Sequence, residues 1–315
     1  MKIFRNHHPL LPAARGAVVA LGNFDGIHKG HQAVIGRAAA EAREVGAKLG
    51  LLTFEPHPRS VFRPDDLPFR LTPFRSKAIL LCELGVDLLF NLRFNRALAA
   101  RTAEDFIRDV LVDGLGISRA VVGYDFVFGN RRRGNAALLA EMGEKLGFGV
   151  SIVEPAGEGE ELYSSTRIRT LLQSGAPRDA AALLGREWQI HGRVEHGDER
   201  GRTIGFPTAN LHLADYLRPA AGVYAVRAGF DRPGADPGGA WYAGVANFGT
   251  RPTFAGTDLR LEVHLFDFAG DLYGRHLRVA LVDYIRPERK FAGLDDLKAQ
   301  IAKDALQARQ ILAKS

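Results

Sequence analysis

The residues best suited to chemistry lie in one stretch, 22–31, which reads G-N-F-D-G-I-H-K-G-H. His28 and His31 are three positions apart, so on a helix they share one face of a single turn. The run before them, Ala17-Val18-Val19-Ala20-Leu21, has the composition and length of a buried parallel strand. After them, Ala33, Val34, Ile35 and Ala38 keep helical spacing. The stretch therefore predicts a strand, a glycine turn and a helix start. At a helix N-terminus, free N–H groups and the positive end of the dipole favour anions, and Gly30 lets a ligand approach the backbone. Two imidazoles placed there suit a polyphosphate undergoing displacement at its α-phosphorus, since they can donate hydrogen bonds to oxygens that gain charge in the transition state. The same pair also reads as two surface residues or as a metal pair. A metal needs further ligands; the one cysteine, Cys82, lies in an apolar helical pattern and no H-E-x-x-H spacing occurs, so zinc is the weaker option.

The elements that must position this stretch follow in alternation. Residues 47–54 form a second strand pattern ending in T-F-E-P-H-P, whose prolines leave Glu55 and His57 on a loop at the strand's carboxyl end. Thr72 suits the cap of a helix over 73–84, and residues 86–90 read as a third strand. Thr102 and Asp105 begin another helix through Phe106, Ile107, Val110 and Leu111, and 120–122 form a fourth strand. That strand delivers Gly123-Tyr124-Asp125-Phe126-Val127-Phe128-Gly129, then Asn130 and the basic run Arg131-Arg132-Arg133, to another carboxyl-end loop. Such a basic run is most often a solvated loop, with nucleic acid the next reading; on this edge of the sheet a polyphosphate or flavin contact stands at least level with both. Strand and helix in alternation predict a parallel, doubly wound α/β sheet. Ser164-Ser165-Thr166, with Arg169 one turn later, is a second arrangement suited to anions, or an ordinary helix cap.

At 315 residues the chain suits two domains, and the rhythm changes near residues 184–186. Beyond that point short alternating strands at 189–194, 222–229, 241–247, 259–266 and 277–283 predict a small antiparallel barrel or sandwich, followed by an amphipathic helix over 294–312. The boundary is expected near 186, giving domains 1–186 and 187–315. The glycine-rich, basic residues 197–205, including Gly201 and Gly205, lead into Phe206-Pro207-Thr208-Ala209-Asn210. A loop over phosphates followed by a rigid turn offering a hydroxyl and an amide oxygen is a plausible Mg²⁺-nucleotide site, although no P-loop is present. Glu262 shares a strand face with His264 and Phe266, opposite Leu261 and Val263; a lone glutamate there is a surface position or a base directed into a cavity.

Composition bounds these readings. The apolar fraction of 46% and charged fraction of 25% are ordinary for a globular protein. No apolar run approaches a membrane span, residues 1–15 lack the apolar core of a signal peptide, and a single cysteine makes a reducing cytoplasm the expected compartment. The net charge of +6 fits phosphate-rich small ligands or nucleic acid without separating them.

The 22–31 string resembles the HxGH signature of the nucleotidyltransferase superfamily, in the form G-x-F-D-G-x-H-x-G-H of bacterial FAD synthetases, and Ser164-Ser165-Thr166-Arg167-Ile168-Arg169 is similar to the S-S-T-x-I-R segment that follows it there. G-R-T-I-G-F-P-T-A-N-L, G-V-Y-A-V, G-V-A-N-F-G-T-R-P-T-F, L-E-V-H-L-F-D-F and D-L-Y-G stand in the order of bacterial riboflavin kinase modules. Over nearly its whole length the chain resembles the bifunctional riboflavin kinase/FMN adenylyltransferases. The resemblance implies a six-stranded barrel in the second domain, with Gly201 and Gly205 over ATP, Thr208 and Asn210 at Mg²⁺-ATP, and Glu262 as base. For the first domain it implies His28 and His31 at the ATP phosphates, Gly22, Asn23, Phe24, Asp25, Gly26 and Gly30 around the nucleotide, and Ser164, Ser165, Thr166 and Arg169 closing the site. Asp125, Phe126, Phe128 and Asn130 form a flavin or nucleotide loop. The partners so implied are riboflavin, FMN and ATP, rather than nucleic acid or a membrane; the rivals are a chain with one competent domain and an RNA-binding protein with a vestigial nucleotide fold. Two positions depart from the family pattern: Val127 where a basic residue is common, and Asn135 where an acid is common.

Overall fold

The computed structural model describes residues 1–8, 10, 12–155, 157–158, 161–195, 205–230, 241–253 and 256–314. Two compact units emerge: Met1–Leu67 with Phe74–Ser164, and Pro68–Pro73 with Ser165–Ser315.

The first unit is built on six strands, β1 (Lys2–Phe4), β2 (Val18–Leu21), β3 (Leu49–Glu55), β4 (Leu88–Arg93), β5 (Arg119–Gly123) and β6 (Gly149–Val153). They lie in the order β1-β4-β3-β2-β5-β6 with every pairing parallel. Side chains alternate along β2, so Val18 and Ala20 enter one apolar core and Val19 and Leu21 the other. Helices α1 (Lys29–Glu44) and α2 (Phe74–Glu83) cover the first face through Val34, Ile35, Ala38, Leu80 and Leu81. The second face takes Phe106, Ile107, Val110 and Leu111 together with Leu139 and Met142 of α3 (Ala136–Leu146). Both faces being covered is what near-continuous apolar strands require. Thr102 caps the turn Ala103–Asp105 as expected, its side chain accepting from Asp105 N at 3.0 Å, but the helix beyond it, Phe106–Leu115, is a π-helix. Its last carbonyls are taken by Arg15, which donates to the oxygens of Val112, Asp113 and Gly114.

One buried carboxylate ties α1 to the sheet. Glu41, 3% exposed, accepts from Ser151 Oγ at 3.0 Å, pairs with Arg119 at 3.4 Å and receives Arg37 from its own helix. Burial alone would raise its pKa; the hydrogen bonds from Arg37 and Ser151 and the charge of Arg119 outweigh it and hold the carboxyl below its ordinary value. Such a group stabilises above its unfolded pKa, and that stabilisation is lost as pH falls through the lower folded value. Glu41→Gln is therefore expected to lower Tm at pH 7, with the gap to wild type closing in acid, below the ordinary carboxylate value of 4.5. Thermal unfolding across pH 3–8 checks this; a gap that stays constant would assign the loss to packing.

The second unit is a closed barrel of β7 (Trp188–Glu195), β8 (Ala209–His212), β9 (Gly222–Phe230), β10 (Trp241–Thr253), β11 (Gly256–Leu265) and β12 (His276–Arg286), ordered β7-β8-β11-β10-β9-β12 and antiparallel throughout. The sixth strand is β8: the F-P-T-A-N segment, expected as a turn, passes into a strand at Ala209. On the outside, Val223, Ala225, Val245, Phe266 and Val282 pack under Ala308 and Leu312 of the last helix, Leu294–Leu312.

The contact boundary falls after Ser164, two helices earlier than the change of rhythm near 186. Helices α4 (Ser165–Gln173) and α5 (Pro177–Leu184) lean on the barrel: Leu172 O accepts from Ala220 N at 3.0 Å, and Arg178 pairs with Asp283 at 2.9 Å. Residues Pro68–Pro73 do the same. Arg70 N donates to Asp215 O at 3.3 Å, Leu217 N to Arg70 O at 2.8 Å, and Trp188 Nε1 to Leu71 O at 2.9 Å, so six residues from the middle of the first unit's sequence form a strap over a fully buried tryptophan of the second unit.

Candidate functional site

In the first unit β3 and β5 flank β2, and the chain winds outward from β2 in opposite directions on the two sides. The crevice at the carboxyl ends of β2 and β5 is thus a topological switch point, where open α/β sheets bind ligands. Residues 22–31 occupy its floor. Gly26 takes φ 91°, and Phe24 and Ile27 are also left-handed at 48° and 44°. Left-handed backbone is a steric outlier for a β-branched residue and costs about 1–3 kcal/mol per residue. Phe24, Asp25 and Ile27 are each no more than 2% exposed, so their surroundings hold them there. A Cβ at Gly22 would lie 3.2 Å from the Phe24 ring, which would have to give way by a few tenths of an ångström.

His28 caps α1, its Nδ1 accepting from His31 N at 3.3 Å. That bond leaves the ring proton of neutral His28 on Nε2, which makes Nε2 a donor. The two imidazoles stack, centroids 3.7 Å apart and planes 19° apart, and Phe24 abuts His31 edge-on at 5.3 Å. Stacked face to face, the rings do not converge on a common metal position. A Cβ on Gly30 would lie 3.2 Å from His28 and 3.5 Å from Tyr163 Cβ, so glycine keeps the His28 ring in place; Lys29 Nζ sits 5.5 Å from the Tyr163 ring centroid. Beneath the turn is a group that sequence reasoning missed. Lys77, 0% exposed, donates to Asn23 O at 2.7 Å and to Thr53 Oγ1 at 3.2 Å.

The loop after β5 is largely structural in its contacts. Phe126 and Phe128 stack at 5.3 Å and Phe128 meets Phe106 at 5.6 Å, while Asn130 N donates to Arg101 O at 2.7 Å. Asp125 is exposed, as are Arg131, Arg132 and Arg133. Asn135 N-caps α3 through Oδ1, accepting from Leu138 N at 2.9 Å, a role that the more common acid would fill equally. Ser164 ends the first unit, whereas Ser165, Thr166 and Arg169 open α4 in the second. There Arg169 Nε donates to Phe69 O at 2.9 Å and its guanidinium lies 5.5 Å from the Phe69 ring centroid.

The barrel carries a second polar row. Asn210 on β8 and Asn247 on β10 are both in register with Glu262 on β11, which places the three side chains on one face. Asn210 is 4% exposed, and its Oδ1 has no hydrogen-bond partner among the described residues. Thr208 is half-buried two residues before it. The turn that carries Thr208 is pinned by His264, whose Nδ1 lies 2.8 Å from Pro207 O. Gly205 is exposed with φ 85°, and Gly201 lies outside the described residues. A hydroxyl, an orphaned amide oxygen and a carboxylate are hard oxygen donors of the kind Mg²⁺ takes, so the residues fit that ion.

Comparison with known proteins matches one family model to each half of the chain. The family model described as FAD synthetase covers residues 11–167, and that described as riboflavin kinase covers 184–312. The chain is 46% identical over 312 residues to the bifunctional riboflavin kinase/FMN adenylyltransferase of Escherichia coli (strain K12), covering 98% of this chain and 97% of that one. It is 42% identical over 316 residues to that of Pseudomonas fluorescens, covering 100% and 99%. Among solved structures, a crystal structure from Streptococcus pneumoniae described as a macrolide-efflux protein is similar with a TM-score of 0.84 and 33% identity, covering 98% of each chain. No described helix of the present chain is long and apolar enough to cross a membrane. Both family models are matched in chain order and the identity runs almost end to end, so the chain belongs to the bifunctional riboflavin kinase/FMN adenylyltransferase family.

Proposed function

We propose that this chain is a cytoplasmic, Mg²⁺-dependent enzyme of FAD biosynthesis, in which residues 187–315 phosphorylate riboflavin with ATP and residues 1–186 adenylylate the FMN. The observation that carries this reading is the near full-length identity to the bifunctional enzymes; the His28–His31 pair and the Asn210–Glu262 row are compatible with it. In the first, a phosphate oxygen of FMN attacks the α-phosphorus of ATP, forming an O–P bond as the bond to the leaving pyrophosphate breaks. His28 Nε2 and His31 donate to the oxygens that gain charge. The backbone of Gly22, Asn23, Phe24, Asp25, Gly26 and Gly30 cradles the nucleotide at the α1 N-terminus, and Ser164, Ser165, Thr166 and Arg169 close over it. Asp125, Phe126, Phe128 and Asn130 border the flavin or nucleotide.

In the barrel, Glu262 accepts the proton of the ribityl hydroxyl as that oxygen forms a bond to the γ-phosphorus of ATP and the bond to the leaving ADP breaks; Gly205 borders the nucleotide, and Gly201, assigned with it, lies outside the described residues. Thr208 and Asn210 would hold Mg²⁺, which when bound neutralises phosphate charge. Incubation with riboflavin and Mg²⁺-ATP, followed by separation of the flavins, tests the proposal. FMN is expected first and FAD after it, and chelation should stop both steps. Accumulation of FMN without FAD would leave only the kinase, and unchanged riboflavin would overturn the reading.

A further inference from the structure

Lys77 lies on the apolar stripe of α2, one turn before Leu80 and Leu81, and is as buried as they are. Lysines in such positions usually send the ammonium along the surface to water. This one turns inward. Its Nζ donates to Asn23 O at 2.7 Å and to Thr53 Oγ1 at 3.2 Å; Thr53 Oγ1 donates in turn to the same Asn23 oxygen at 3.2 Å, and Glu55 Oε1 supplies a countercharge at 3.7 Å. Leucine or methionine would fill the same stripe without the desolvation of a charge, so the ammonium is to be explained by what it holds. It holds the backbone oxygen immediately before Phe24, the first of the three left-handed residues. Strained backbone of that kind persists only where its surroundings over-determine it.

We propose that Lys77 is a positioning residue for adenylyl transfer: its buried ammonium clamps Asn23 O, and so fixes the 22–31 turn and the two imidazoles that follow. This rests on the assignment of that reaction to the turn. Glu55 at 3.7 Å opposes the charge of the ammonium, so the role of Lys77 is placed in the clamp on Asn23 O. Loss of Lys77 therefore acts on alignment in the transition state more than on nucleotide affinity.

The test uses the full chain with Lys77→Met, which keeps length and apolar packing, and Lys77→Met/Glu55→Gln, which also removes the carboxylate that would be stranded if the single variant folds poorly. FMN adenylylation and riboflavin phosphorylation are measured on the same preparations with Mg²⁺-ATP. In both variants kcat for FAD formation is expected to fall about tenfold to a hundredfold, while KM for ATP moves less than about threefold and kinase kcat stays within about twofold. FAD turnover near wild type in either folded variant overturns the proposal. So does a loss shared equally by the two reactions, which marks a merely structural lysine, or a loss carried wholly by KM. His28→Ala in the same assay separates the two failures. If it too leaves FAD formation intact, the assignment of the reaction to the turn is wrong; if it alone is slow, only the role of Lys77 falls.

Discussion

With His28 or His31 replaced by alanine, FAD formation from supplied FMN is expected to slow by about a hundredfold or more, the usual loss for one preorganised transition-state donor. Riboflavin phosphorylation should continue. His28 Nδ1 accepts from His31 N at 3.3 Å, which makes Nε2 the ring's donor, and the 3.7 Å stack makes the position of each imidazole depend on the other. The double variant should accordingly lose little more than the worse single one. Alanine at 28 also removes the α1 cap, worth about 1 kcal/mol, so His28→Asn is the informative companion: its amide oxygen can cap the helix but does not reproduce the imidazole donor. FAD synthesis at the wild-type rate in the double variant would remove the histidines from the mechanism. Recovery of the rate in His28→Asn would show that the cap was what mattered.

Glu262→Gln is expected to lower riboflavin kinase turnover by about a hundredfold to ten-thousandfold, the range of general base catalysis, with nucleotide and flavin affinity far less changed. Glutamine keeps the size and the hydrogen bonding but not the basicity. The β-register supports the choice of residue, since Glu262 stands directly across from buried Asn210, whose Oδ1 is unpartnered among the described residues. Adenylylation of supplied FMN should be nearly unchanged. Separate assays of the two steps decide the matter: kinase turnover close to wild type excludes Glu262 as base, and equal loss of both activities points to misfolding or to a single shared active site.

The parts of this fold that rest on local pattern were legible from residues alone. An apolar run, a glycine turn and helical spacing placed β2, the 22–31 turn and α1, and strand alternation marked five of the six barrel strands. What escaped notice is non-local. Lys77 reads as one more helical lysine unless its place on the Leu80–Leu81 stripe is weighed, and nothing nearby in sequence shows that its partner is Asn23, 54 positions away. The strand β8 is four residues long and begins inside a proline turn, so no alternation had room to show. P-F-R-L-T-P offers no pattern beyond the Thr72 cap, because its hydrogen-bonding partners outside the segment lie a hundred residues or more downstream. The left-handed Phe24 and Ile27 contradict their residue types, and they sit where the chemistry is proposed.

The strap at Pro68–Pro73 also sets an order of events during synthesis. Leu71 precedes the tryptophan it caps by 117 positions. At about 5–20 residues per second, it leaves the ribosome about 6–23 s before Trp188 does. By then all six strands of the parallel sheet have emerged, since β6 ends at Val153, and that sheet has no need of the strap to close. For this interval the six residues are without Trp188, and Tyr216 and Leu217, the remaining halves of the fastening, are made later still. A segment made early thus belongs to the unit made last. A circularly permuted gene opening at residue 165 would reverse the order, so that the barrel would have to form with Trp188 uncovered and receive its clasp afterwards.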